Sequence, residues 1–231
     1  MAEELQTIPR IEEHEGVRVV RDDIFAGGTK AQVLAALFGA AREYVYASPA
    51  YGYAQVALAH AAKAAGKRAT VFVAARKQRH ERTATAAAYG AKIVEVPCGY
   101  MTVVQKRARD YCAVSGAVML PFGLDHPVMI EALANRARSL SIQPEEVWTV
   151  AGTGVLTRSL QRAWPNARFK AVRVGMETNA GSAEVLTAPE KFEDDAKVRP
   201  PFPSCSNYDA KAWRFIRAQA SPGAVFWNVA A

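Results

Sequence analysis

The stretch VRDDIFAGGTKAQVLAALF (residues 20–38) decides how the rest of the chain is read. It starts as a β-branched strand and turns through an acidic pair and two adjacent glycines. It then delivers one lysine, Lys30, into an Ala-rich segment with helical spacing. Glycines make tight turns and also let a backbone approach a ligand closely. Two uses therefore fit Gly27 and Gly28: a turn ahead of a solvated first-turn lysine, or a close-approach turn that sets Lys30 against a small anionic cofactor.

Outward from this stretch the pattern is a strict alternation. Strands are predicted at VRVVRDD, YVYAS, RATVFVAA and AKIVEVP. Helices are predicted at TKAQVLAALFGAARE, YAQVALAHAAKAAGK (stopped by Gly66), QRHERTATAAAYG and YMTVVQKRARDYCAV. After the irregular SGAVMLPFGLDHP the alternation resumes with helix VMIEALANRARSL, strand EVWTVAG, helix GVLTRSLQRAWP and strand RFKAVRVG. Short apolar strands alternating with helices predict an α/β protein with parallel sheets covered on both faces, here in two lobes. Periodicity is lost over residues 176–207, which read as a long loop or covering segment. YDAKAWRFIRAQ is a closing helix and AVFWNVAA a terminal strand.

Composition agrees with a globular chain. Of 231 residues, 50% are hydrophobic and 22% charged, enough for one large domain or two packed lobes. No apolar run reaches the ~18–20 residues of a membrane span, and the acidic opening segment has no apolar signal core, so a soluble, cytoplasmic protein is expected. Cys98, Cys112 and Cys205 are odd in number and form no CxxC; they read as reduced thiols, with neither a disulfide framework nor a metal site. The net charge of +7 includes two basic segments, RKQRHER (residues 76–82) and QKRAR (residues 105–109). These serve either as charged helix faces or as a patch for a polyanion such as nucleic acid.

A second glycine cluster stands in VWTVAGTGVLTRSL (residues 147–160), where a buried-looking strand runs into Gly152, Thr153 and Gly154 and then a helix. Backbone amides and the positive end of the helix dipole suit a phosphate there, and Thr153 or Thr157 can add a hydroxyl. A nucleotide would fit the same pattern, although GxGxxG and the Walker lysine are both missing.

Taken together, the arrangement resembles the fold-type II pyridoxal-phosphate enzymes of the tryptophan-synthase-β-like superfamily, nearest the D-cysteine desulfhydrase and aminocyclopropane-carboxylate deaminase branch. In that branch RDD is followed by GGNK, whose lysine carries the cofactor as a Schiff base; here Arg21-Asp22-Asp23 and Gly27-Gly28-Thr29-Lys30 stand in that order. The likeness continues through ASPAYGYAQVALAHAAKAAGKRATVFV, AYGAKIVEVP, LPFGLDHPVMIEAL, AGTGVLTRSL, NYDAKAW and AVFWNVAA. It implies a large cofactor-binding lobe of residues 1–43 and 120–231 and a small lobe of residues 44–119.

The resemblance also implies site residues. Lys30 would form the Schiff base with pyridoxal 5′-phosphate, and Gly152, Thr153, Gly154, Val155 and Thr157 would hold its phosphate. Ser48 and Gly52 match the loop that meets the cofactor ring and the substrate carboxylate. Tyr51 and Tyr53 in that loop stack on the ring, act as acids or simply pack. His126 orients a substrate or caps its own loop. Two consensus contacts are absent: Ala50 falls where the family has asparagine if Ser48 is aligned, or Tyr53 if the branch's Ser-Asn-His is set on Gly52-Tyr53-Ala54, and Val229 falls where it has the threonine that meets the pyridine nitrogen. Ser204, Cys205, Ser206 or Tyr208 would have to substitute, with Ser204 expected at the cofactor and Tyr208 at the substrate. The implied activity is a lyase or deaminase on a small amino acid, in a homodimer. Alternatives are a decarboxylase acting on an amino-acid-modified pyrimidine in DNA, and a cofactor-binding protein without turnover.

Overall fold

The computed structural model describes residues 8–97, 99–175 and 177–231. Cys98, expected as a free thiol, and Met176, expected in the aperiodic segment, lie outside the described residues. So do residues 1–7 of the acidic opening segment. Among the described residues, Cys112 and Cys205 are not disulfide-bonded.

In chain order the strands are β1 (Arg10–His14), β2 (Val17–Arg21), β3 (Glu43–Ala47), β4 (Arg68–Ala74), β5 (Lys92–Val96), β6 (Val118–Met119), β7 (Glu146–Ala151), β8 (Arg168–Arg173), β9 (Glu184–Thr187) and β10 (Val225–Asn228). The α-helices are α1 (Gly28–Val33), α2 (Ala54–Ala64), α3 (Glu81–Ala88), α4 (Met101–Ser115), α5 (Pro127–Arg138), α6 (Val155–Ala163) and α7 (Trp213–Gln219). They form two compact units, one of Met1–Thr29 with Ile130–Ala231 and one of Lys30–Met129. Among the described residues no helix is long and apolar enough to cross a membrane.

The first unit carries a six-stranded sheet in the order β1-β2-β10-β7-β8-β9. Every neighbouring pair is parallel except β1 with β2, which run antiparallel from Arg10↔Arg21 to His14↔Val17. Central strand β7 is buried along its whole length, as expected where helices cover both faces of a parallel sheet. Its core gathers Val19, Trp148, Val150, Val172, Phe202, Trp213 and Phe226. Each such side chain contributes roughly 1.5–3 kcal/mol when fully buried. The second unit carries a four-stranded, all-parallel sheet in the order β5-β4-β3-β6 over a core of Val45, Phe72, Val96, Val104 and Ala108.

Three local expectations are corrected. The helix expected over residues 29–43 ends at Val33, continues as a 3-10 turn over Leu34–Leu37 and then becomes irregular. Packing overrides propensity here: Leu34 is fully buried, the Phe38 and Tyr44 rings lie 4.4 Å apart, and the Gly39 amide donates to the Tyr44 hydroxyl. The aperiodic segment contains an edge strand, β9, whose register with β8 runs from Lys170↔Glu184 to Arg173↔Thr187. The stretch YDAKAWRFIRAQ opens as a 3-10 turn (Asp209–Ala212) and becomes α-helical only at Trp213.

Candidate functional site

The acidic pair and its arginine hold the first glycine turn in place. Arg21 makes a fork to both Asp23 oxygens at 2.8 Å and a further bond to Glu12. Asp22, fully buried, receives the Arg136 guanidinium, whose Nε lies 3.1 Å from each carboxylate oxygen. The Trp227 indole N–H is shared between Asp22 Oδ2 (3.2 Å) and Thr29 Oγ1 (3.0 Å), and the Thr29 amide donates to the Val229 carbonyl at 3.0 Å. The chain then turns through Gly27 (φ 79°) and Gly28 (φ 66°), left-handed conformations that favour glycine. The ends of β2 and β10 thus clamp the residues immediately before Lys30.

Lys30 lies in the first turns of α1 and is half-buried. Its amine donates to the Gly123 carbonyl at 2.8 Å. Desolvation pushes its pKa down to about 8, against the opposing pull of the Asp125 carboxylate. Gly123 belongs to the turn Phe122–Leu124 and has φ 68°, followed by Leu124 at φ 60°, rare for a residue with a side chain. The Gly123 amide in turn donates to the hydroxyl of buried Tyr46 at 3.1 Å. Burial pushes the Tyr46 phenol up to about 12.

In the same unit, residues 48–53 connect β3 to α2. The Ser48 amide donates to the Phe72 carbonyl, and its hydroxyl donates to the Pro49 carbonyl at 2.9 Å. Gly52 is close-packed: a Cβ there would lie 3.1 Å from both Pro49 and the Ser48 hydroxyl. Gln55, completely buried, holds the loop from below. Its amide nitrogen lies 2.9 Å from the Ala50 carbonyl, 3.0 Å from Gly52 and 3.3 Å from Pro49, while its carbonyl accepts from Thr83 at 3.0 Å. Basic side chains hold it from outside. Arg76 lies over the Tyr51 ring (5.0 Å) and Arg82 over the Tyr53 ring (5.4 Å), Arg82 also bonds the Tyr51 carbonyl, and the His80 ring meets Tyr51 edge-on.

In the other unit, the second glycine cluster follows β7. Gly154, at φ 81°, caps α6, and a Cβ on it would fall 1.9 Å from the Asn179 carbonyl oxygen. The Gly152 amide donates to the Tyr208 hydroxyl at 2.9 Å, and that hydroxyl donates to the Val150 carbonyl at 3.3 Å. Burial raises the Tyr208 phenol. Thr153 is half-buried, and Val155 is buried. Thr157 is fully buried and shares a hydrogen bond with Thr149 at 2.8 Å. Ser204 donates to Asn228 Oδ1 at 2.8 Å, and Asn228 donates to the Pro203 carbonyl. The buried Cys205 thiol donates to Asn207 Oδ1.

Several placements refine the sequence reading. His126 is exposed, and its Nδ1 accepts the Val128 amide at the start of α5, which is the capping use left open above. Arg82, expected apart from the site as part of a basic surface segment, instead supports the loop that holds Tyr51 and Tyr53. Arg79 pairs with Glu95 and Lys106 with Asp110. Sequence reasoning passed over Tyr46, Gly123, Gln55 and Arg136, because each acts through a partner remote in sequence. The left-handed requirement at Gly123 in the PFGLD turn was the only local signal.

No protein-family model matches the chain, and no curated protein matches it in sequence. Solved structures do match. The crystal structure of an ACC deaminase homologue has a TM-score of 0.79 at 12% identity, over 93% of this chain and 84% of that one. O-ureido-L-serine synthase gives a TM-score of 0.74 at 16% identity, over 97% of this chain and 90% of that one. A hydrogen sulfide-producing enzyme from Fusobacterium nucleatum gives 0.72 at 11% identity, over 100% and 98%. The chain has the two-unit α/β fold of the fold-type II, tryptophan-synthase-β-like pyridoxal-phosphate enzymes.

Proposed function

We propose that the chain is a pyridoxal 5′-phosphate-dependent enzyme of the lyase or deaminase type, acting on a small amino-acid-like substrate, with Lys30 as the Schiff-base lysine. The observation that carries this reading is the Lys30 amine. It follows a braced glycine turn and donates to the Gly123 carbonyl, and its pKa lies at about 8 rather than 10.5. Only a neutral amine attacks an aldehyde, so this shift multiplies the reactive fraction at neutral pH.

The other residues fit the same group. The first-turn amides of α6 have no intrahelical partner, and the helix dipole favours an anion there. Gly154 leaves no room for a side chain at that turn. Gly152, Thr153, Gly154 and Val155 are assigned to the 5′-phosphate, with Thr157 tying helix to strand behind them and Tyr208 fixing the Gly152 peptide. Ser204, oriented by Asn228, is assigned to the cofactor ring. Ser48, Tyr51, Gly52 and Tyr53 are assigned to the substrate carboxylate, and His126 to the support of its own turn.

The cofactor, when bound, supplies an electron sink conjugated to the substrate's α-carbon. Lys30 takes up and returns the proton at that carbon. The lyase or deaminase type follows the activities for which the ACC deaminase homologue and the hydrogen sulfide-producing enzyme are named. A DNA-linked substrate rests on the basic segments, where Arg79 and Lys106 are ion-paired and Arg82 holds the loop, so the small substrate is preferred.

Pyridoxal phosphate added to the protein is expected to give an absorbance band at the visible edge that borohydride abolishes, with the reduced adduct mapped by peptide mass spectrometry to Lys30. Capture should speed up as pH rises through about 8, because the lysine loses its proton there. A folded Lys30→Ala protein should give no adduct. An adduct on Lys106 or Lys170 in both proteins would overturn the assignment.

A further inference from the structure

We infer that Tyr46 is a positioning residue for Lys30, acting through Gly123: the tyrosine hydroxyl holds that residue's amide hydrogen, and its carbonyl holds the lysine amine. The inference rests on the reading of Lys30 as the cofactor-holding lysine and adds to it the group that aims the amine.

The geometry is a two-bond relay, from the Gly123 amide to Tyr46 Oη at 3.1 Å and from Lys30 Nζ to the Gly123 carbonyl at 2.8 Å. The amide and the carbonyl belong to successive peptide planes, so the Gly123 torsions, φ 68° and ψ 0°, fix the angle between them. Holding the amide therefore sets where the carbonyl points. Leu124 stays left-handed beside it with its side chain fully buried, so the turn is anchored on that side as well.

Tyr46 is suited to act as the fixed point. It stands one residue before the end of β3, paired with Val71 of β4, is 2% exposed, and lies parallel to the Phe122 ring at 6.5 Å. Its phenol stays protonated across the range in which Lys30 titrates. Of the titratable groups, Asp125, just after the turn, acts on Lys30 directly, whereas Tyr46 of β3 bonds the Gly123 amide and reaches the lysine only through that residue. A neutral amine anchored through one N–H presents its lone pair in a set direction, which both attack on an aldehyde and later proton transfer require. If Tyr46 merely filled space, its hydroxyl would have no bearing on Lys30.

The experiment compares wild type with Tyr46→Phe, both free of cofactor. Competitive labelling with acetic anhydride, read by mass spectrometry at Lys30 across pH, gives the amine's midpoint. A carbonyl acceptor stabilises the ammonium more than the neutral amine, so loosening it should lower the midpoint by about one pH unit. The rate of adduct formation with pyridoxal phosphate, measured about a unit above each midpoint, should fall by about tenfold through lost aim. An unchanged midpoint and rate in a folded variant would overturn the inference.

Should Tyr46→Phe fail to fold, hydrogen exchange in the wild type decides instead. A protected Gly123 amide upholds the relay, and exchange as fast as exposed loop amides overturns it. A borohydride adduct on another lysine, with the Lys30 midpoint still shifted by Tyr46→Phe, would overturn the cofactor reading alone.

Discussion

Two glycine turns lie at the ends of parallel strands on either side of β10, and they are held in opposite ways. The turn after β2 is fixed by side chains: Arg21 forks onto Asp23, Arg136 onto buried Asp22, and Trp227 reaches both Asp22 and Thr29. The turn after β7 is fixed by backbone and space, through the Gly152 amide on Tyr208 and the Asn179 carbonyl pressed against Gly154. The difference follows what each presents. The first delivers a side chain, Lys30, and needs a rigid base. The second brings backbone against backbone at Gly154 and needs the absence of a side chain.

The contrast breaks most severely at Asp22. Asp22→Ala removes the buried carboxylate that Arg136 faces and is expected to cost about 3–5 kcal/mol in chemical denaturation, because breaking a buried ion pair from one side is far worse than leaving it intact. A loss below about 1 kcal/mol would mean that water reaches Arg136 and that the first turn is not held by buried charge.

The second turn is sharpened by two alanines two residues apart. Gly154→Ala drives a Cβ to within 1.9 Å of a backbone oxygen at φ 81°, and about 3 kcal/mol of destabilisation is expected. Gly152→Ala places its Cβ 3.4 Å from the Tyr208 hydroxyl, an ordinary contact, and should cost less than about 1 kcal/mol. Equal losses would show that the restriction at Gly154 is relieved by movement of the segment carrying Asn179.

A comparably small effect belongs to Tyr208→Phe, which removes the hydroxyl that accepts the Gly152 amide. About 1 kcal/mol of stability should go, with a several-fold weaker hold on pyridoxal phosphate measured by equilibrium dialysis. Tightened binding instead would mean that the freed amide serves the anion better than the tyrosine does.

The sequence was most readable where a pattern is local. Alternation of apolar strands with helices predicts the α/β sheets, because side-chain period alone separates the two elements. The RDD and GGTK runs single out Lys30 as the candidate, because order along the chain carries the resemblance. What escaped is non-local. Arg136 lies 114 positions from Asp22, and Gly123 lies 93 from Lys30, so no window of sequence joins either pair. Strand β9 is four residues at a sheet edge with one side exposed, too short for periodicity to mark. The long helix expected after Lys30 misled for the opposite reason: good helix formers were present, and burial of Leu34 together with the Phe38–Tyr44 contact outweighed them.

The order β1-β2-β10-β7-β8-β9 also bears on biosynthesis. The second unit is continuous in sequence, so every strand of its sheet is available once residue 129 has been made. The first sheet has its last strand in sequence at its centre, and β2 and β7 share no partner until Val225–Asn228 is available. From the completion of β7 at Ala151 until Val225 is made, a nascent chain therefore carries two apolar strand edges that await β10, a state of high contact order that favours slow closure and recruitment of chaperones. Vectorial folding should begin with the unit that holds Lys30, and the glycine turn after β7 should settle only when β10 arrives.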